Sequence, residues 1–153
     1  MLYCKNSITK ITATALLILS FFVSSAKSET LDLNIKNIKN DGQICIAIFN
    51  SADKFYQYRG EQNCLVKDSK VKYFFENVKA GQNLNKIINL RSGVYAVKVF
   101  LDKNYNKVID KNFFGIKKEK IGYSNNPKIV FGNPYFSEIE FILSNYKKLD
   151  IML

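Results

Sequence analysis

From Val94 to Asp102 the chain runs VYAVKVFLD, with Tyr95, Val97, Val99 and Leu101 on one alternating face and Val94, Ala96 and Phe100 on the other. A strand apolar on both faces must be covered on both, so it belongs inside a layered β structure and not at an edge. The segments around it repeat the period of two. Leu31, Leu33 and Ile35 alternate with Asp32, Asn34 and Lys36, and Ile44, Ile46 and Ile48 oppose Cys45, Ala47 and Phe49. Strands are also expected over Val71–Val78, Asn83–Leu90, Lys128–Phe131, Glu138–Leu143 and Lys148–Leu153. Asp41-Gly42 between the first two strands reads as the turn of a β-hairpin. Ser51 to Asp68 has no strand period and holds either a short helix or a long loop around Phe55, Tyr56 and Tyr58. The expected architecture is all-β: a single antiparallel sandwich of about seven strands. No repeat, low-complexity tract or linker divides it.

The first 28 residues have another purpose. Lys5 and Lys10 flank the start of an apolar run, Ile11–Val23, which gives way to the small residues Ser24, Ser25, Ala26 and Ser28. That order is a secretory signal peptide, cut after Ala26 or after Ser28. The run is shorter than the ~18 apolar residues a membrane span usually needs, and no later stretch reaches that length. Residues 29–153 are then the β-sandwich domain, periplasmic or secreted. Cleavage discards Cys4 and leaves Cys45 and Cys64. In an oxidising compartment these are either a disulfide, contributing ~3 kcal/mol, or two thiols.

Composition removes several function classes. There is no histidine, which rules out Ser–His and Cys–His nucleophile systems and the commonest transition-metal ligand. Basic residues outnumber acidic ones by 23 to 13, yet Arg59 and Arg91 are the only arginines. Scattered lysines without bidentate guanidinium groups argue against nucleic acid and for a solvated basic surface, with weak attraction to anionic lipid or polysaccharide. Ser124 lies near Lys118 and Lys120 in sequence, as chance allows in a lysine-rich chain. Glu138 and Glu140 alternate as a solvent face does.

The polar stretch after the central strand is the most informative for chemistry. Asp102, Asn104, Asn106 and Asp110 fit positions one, three, five and nine of a calcium loop, with Val108 as the carbonyl donor. The glycine of the sharp turn is replaced by Lys107, and the bidentate glutamate by Phe113. Glu119 supplies the missing carboxylate if the chain folds back. Six lysines between Lys103 and Lys120 oppose a dication. The same residues also suit a string of Asx turns that pin the loop without any ion. No other cofactor is implied. Beyond it, Phe113, Phe114, Gly115, Gly122, Tyr123, Ser124, Asn125 and Asn126 mix aromatic rings with amides and glycines. Phe114, Tyr123 and Asn125 are candidates for stacking on and bonding to a sugar or peptide; the cluster is better read as an ordinary loop whose aromatic rings cap the core, with Gly115 and Gly122 supplying unusual backbone angles.

The series GVYAVKVFLDKNYNKVIDKNFFGIKKEKIGYSNN, followed by FGNPYF, resembles the bacterial family catalogued as domain of unknown function 2141. The resemblance extends from Leu31 to Leu153 and is strongest over Gly93–Phe136. It implies an exported protein with a transthyretin-like or immunoglobulin-like sandwich, similar to carboxypeptidase-regulatory-like domains, and no assigned activity. The family loop is similar to D-x-N-x-N-G-x-x-D; here Lys107 stands at its glycine, and Lys117 and Lys118 stand where the family favours a proline.

Together these readings lead to an exported, non-catalytic binding or accessory module of the cell envelope, whose partner is a glycan, peptide or protein. Two alternatives stand beside it. One is a carboxylate-based enzyme acting on envelope glycans, which needs two acids facing across a cleft. The other is a structural protein assembling through a bare sheet edge.

Overall fold

The computed structural model describes residues 28–58, 68, 70–130 and 132–153. Apart from Ser28, the expected signal peptide lies outside the described residues. Among the described residues, eight strands and two short helices follow in the order β1 (Ser28–Lys36), β2 (Gly42–Phe49), α1 (Ala52–Tyr58), β3 (Val71–Val78), β4 (Leu84–Arg91), β5 (Gly93–Asp102), β6 (Ile121–Tyr123), α2 (Phe136–Ile139), β7 (Glu140–Leu143) and β8 (Tyr146–Met152). They form two sheets. One is three-stranded, in the order β4-β1-β8; the other is five-stranded, in the order β3-β2-β5-β6, with β7 also pairing β5. β7 joins the Gly93–Ala96 end of β5 and β6 joins Lys98–Phe100, so the two short strands share one edge. The all-β sandwich is as expected, with eight strands instead of seven.

The core lies between the sheets. Leu31, Leu33 and Ile35 of β1 and Leu149 and Ile151 of β8 face Ile44, Ile46 and Ile48 of β2 and Val97, Val99 and Leu101 of β5. The other face of β2 and β5 is also apolar, and three pieces of chain cover it. Helices α1 and α2 bring Phe55, Phe136 and Ile139 over Ala47, Phe49 and Ala96. Their rings meet edge-on or tilted, Phe49–Phe55 at 5.4 Å and Phe55–Phe136 at 6.0 Å between centroids. The loop after β5 brings Ile109 over Cys45 and Phe100. Burial of both faces is therefore why β5 reads as continuously apolar. Ser51 starts α1, accepting the Lys54 N–H on its hydroxyl and the Phe55 N–H on its carbonyl.

Three expectations are corrected. Asp41-Gly42 does not close a hairpin: β1 pairs with β4 and β8, while β2 pairs with β3 and β5 in the other sheet. Instead the Asp41 carboxylate accepts the Ala80 N–H and binds Lys79, both at 2.9 Å, tying the β1–β2 and β3–β4 connections together. Gly42 is needed for a close approach, since a Cβ there would stand 2.5 Å from the Asp102 carbonyl oxygen. Second, the sandwich is not wholly antiparallel, because β8 crosses from β7 to run parallel to β1. Third, residues 128–130 form no strand, and Phe131 lies outside the described residues. Asn125 and Asn126 turn the chain with φ of 61° and 47°, and Pro127 lacks the N–H a ladder requires. The pairing falls to Ile121–Tyr123 instead.

Candidate functional site

Asp102 closes β5 in a buried position and organises everything that follows. Its Oδ1 accepts the Asn104 N–H at 3.2 Å and its Oδ2 the Lys107 N–H at 2.6 Å. Asn104 Oδ1 then accepts from Asn106 N–H at 3.3 Å, and Asn106 Oδ1 from Val108 N–H at 2.8 Å. The result is a chain of Asx turns, each side chain holding the backbone two residues on. Asp110 faces back into it and receives the Asn104 amide at 2.8 Å. Lys107 has a φ of 61°, the left-handed conformation that explains a glycine in the family pattern. Its ammonium lies 5.1 Å from the centroid of Phe75, so the side chain packs back over the sheet.

Glu119 does fold back. Buried beneath the loop, it accepts the Lys103 N–H at 3.3 Å on one oxygen and the Asp110 N–H at 3.2 Å on the other. Burial pushes its carboxyl above the ordinary range, the two N–H donors oppose that, and the nearby Asp102 and Asp110 charges add to it. Asp102, Asn104, Asn106, Val108, Asp110 and Glu119 thus belong to one network. Among the described residues no cluster of three or more Cys, Asp or Glu is arranged to hold a metal. The loop's other donors are amides and main-chain carbonyls.

Beyond Asp110 the chain runs out and returns. Lys111 and Lys117 form an isolated antiparallel bridge, and Lys118 N–H donates to the Asp110 carbonyl at 2.9 Å. Asn112 closes the turn between them: its N–H donates to the Ile116 carbonyl, and its Oδ1 accepts from both Phe114 N–H at 3.0 Å and Ile116 N–H at 2.9 Å. Gly115 supplies the positive φ of 77°. At this tip Phe113 is 97% exposed and Phe114 82%, their rings edge to face at 5.6 Å.

Tyr123 and Asn125 are placed apart from Phe114 in role. Tyr123 is buried against the helices, and its hydroxyl donates to Asn133 Oδ1 at 3.1 Å. The Asn125 amide donates to the carbonyls of Glu138 and Glu140 at 3.3 and 2.9 Å. Both lie in a segment that staples the fold. A Cβ at Gly122 would come within 2.6 Å of both Ile151 Cγ2 and the Met152 carbonyl oxygen, so only glycine lets β6 meet β8. The fully buried Ser124 hydroxyl accepts from Val97 N–H at 3.0 Å and donates to the Ile139 carbonyl. Asn126 donates to the Asp150 carbonyl and accepts from Met152 N–H, each at 2.8 Å, capping the free side of β8. Glu138 accepts the Tyr135 N–H at the start of α2. Strand alternation does not mark Ser124, Asn126 or Asn112 as structural ties; the dense run of small polar residues after Gly122 is the signal for the first two. Cys45 is buried on β2, and Cys64 lies outside the described residues.

A family described as an uncharacterized protein conserved in bacteria, DUF2141, matches residues 33–150. Neither a curated protein nor a solved structure matches the chain.

Proposed function

The chain belongs to the DUF2141 family of bacterial proteins, and from that premise we propose that it is an exported, non-catalytic binding or accessory module of the cell envelope. The observation that carries this reading is the Asn112–Ile116 turn, which holds two aromatic rings in solvent on a framework of internal hydrogen bonds. Clustered exposed apolar side chains mark interaction sites where scattered single ones do not, and loops fixed on a rigid sandwich are where recognition sits. Catalysis is disfavoured by how the acids are used: Asp102 and Glu119 accept main-chain N–H groups, and Glu138 caps α2. Export is supported by the apolar leader, and neither cut removes more than Ser28 from β1. No helix among the described residues is long and apolar enough to cross a membrane. A Cys45–Cys64 bond belongs to the same proposal: Cys45 is buried on β2, and an exported chain matures in an oxidising compartment.

The loop from Asp102 to Asp110 is held, in this reading, by its own side chains, and calcium is an additional ligand recruited by Asp102, Asn104, Asn106 and Asp110. The decisive experiment for the function pellets the mature protein with washed bacterial envelopes. Retention is expected, with loss on Phe113→Ser/Phe114→Ser replacement and no change in the thermal melt. Retention that ignores this replacement would remove the turn from the function.

A further inference from the structure

The same turn carries a charge pattern that the binding-module reading does not use. Phe113, Phe114 and Ile116 are 97, 82 and 64% exposed, and every ionisable side chain from Lys111 to Lys118 is a lysine. Lys111, Lys118 and Lys120 are exposed around the base of the turn. The acids that flank it are engaged elsewhere, Asp110 with the Asn104 amide and Glu119 beneath the loop. Lys117 reaches across to Asn133 Oδ1 at 2.8 Å and lines one hollow with Ile129, which brings the Pro127–Val130 connection alongside. That connection adds Lys128 and a further exposed apolar residue, Val130, at 84%.

A protein groove or a glycan would match part of this surface. An apolar tip collared by cations fits one chemistry on both counts: an interface with acyl chains beneath anionic headgroups. Phenylalanine and isoleucine side chains enter the acyl boundary while lysines remain at headgroup level. The Asn112 hydrogen bonds fix the turn in advance, so little order is lost on insertion. We propose that the Lys111–Lys118 turn is a membrane-docking wedge that inserts Phe113, Phe114 and Ile116 into an anionic lipid surface. The protein would then sit peripherally on a bilayer, with the sandwich standing off it. This rests on the reading of the turn as the binding element, and specifies lipid as what it binds.

The test is co-sedimentation of the mature protein with vesicles of pure phosphatidylcholine and of phosphatidylcholine with phosphatidylglycerol. Binding is expected only to the anionic vesicles and should fall with salt. Lys118→Gln and Lys120→Gln should each weaken it about fivefold, and Phe113→Ser/Phe114→Ser about tenfold or more. The chain has no tryptophan, so Phe114→Trp installs a single indole whose emission should shift to the blue on anionic vesicles alone. Vesicle binding that ignores the phenylalanines, an unshifted indole, or no vesicle binding would each overturn the wedge. So would a phenylalanine-dependent dimer in sedimentation velocity without vesicle binding. If envelopes retain the protein through the phenylalanines but lipid vesicles do not, the lipid proposal fails while the binding-module reading stands.

Discussion

Ser124 shows how much one small side chain can hold. Its hydroxyl joins Val97 of β5 to Ile139 at the end of α2, inside the fold where water cannot substitute. Ser124→Ala leaves the Val97 N–H without that acceptor in a buried site, and should cost about 1–3 kcal/mol. Urea denaturation would show this as a lower midpoint with an unchanged slope. Gly122→Ala should cost about as much for a different reason, since its methyl must displace the Met152 carbonyl or Ile151. A Gly122→Ala protein as stable as the parent would mean that β6 and β8 can separate without loss.

At the scale of the element, the question is what the loop from Asp102 to Glu119 is built on. Both Asp102 oxygens hold main-chain N–H groups, and Glu119 holds two more from below. Asp102→Ala should therefore destabilise the protein by about 1–3 kcal/mol in chelator. The proposed calcium ligand predicts a second, separable contribution. A melt of the parent at a hundredfold the dissociation constant should gain about 2.7 kcal/mol, and Asp102→Ala should abolish that gain. A parent melt that calcium leaves unmoved would retire the ion and keep the Asx turns.

For the whole molecule, acid stability follows from carboxylates that tie distant segments. Asp32 is held below its ordinary value by the Tyr146 hydroxyl and by Asn85, which joins β1 to both its neighbours. Asp41 is lowered by the Ala80 N–H and Lys79, and Asp68 by its ion pair with Lys54 and by the Lys70 N–H. A depressed folded value means stability present above the unfolded carboxylate value of 3.8 and lost as pH falls through the folded one. Glu119 has the opposite sign: its raised value gives stability that is fully present below 4.5 and is lost as pH rises through the folded value. Denaturation midpoints should thus fall below pH 3.8, modestly because these carboxylates are solvent-screened, with Asp32→Asn shrinking that acid loss. An acid limb unchanged by Asp32→Asn would dissociate the β1 edge from it.

Sequence alone determined the layers, because alternation is a local property: a strand covered on both faces shows it on both, as β5 does with Val97, Val99 and Leu101 on one side and Ala96 and Phe100 on the other. It also located the polar loop and its pins, since Asx turns act over two residues and Asp102, Asn104 and Asn106 are spaced accordingly. Pairing is not local, and there the sequence misled. Asp-Gly usually turns a hairpin, but Asp41 found Ala80, and Gly42 was needed beside Asp102. Tyr123 and Asn125 have the chemistry of a binding surface, yet tertiary structure buried one and committed the other to the Glu138 and Glu140 carbonyls. Only the fold could decide that Phe113 and Phe114 stay in solvent while the equally apolar Phe55 and Phe136 go inside. Composition records that a ring is apolar; whether a neighbouring segment arrives to cover it depends on where the chain returns.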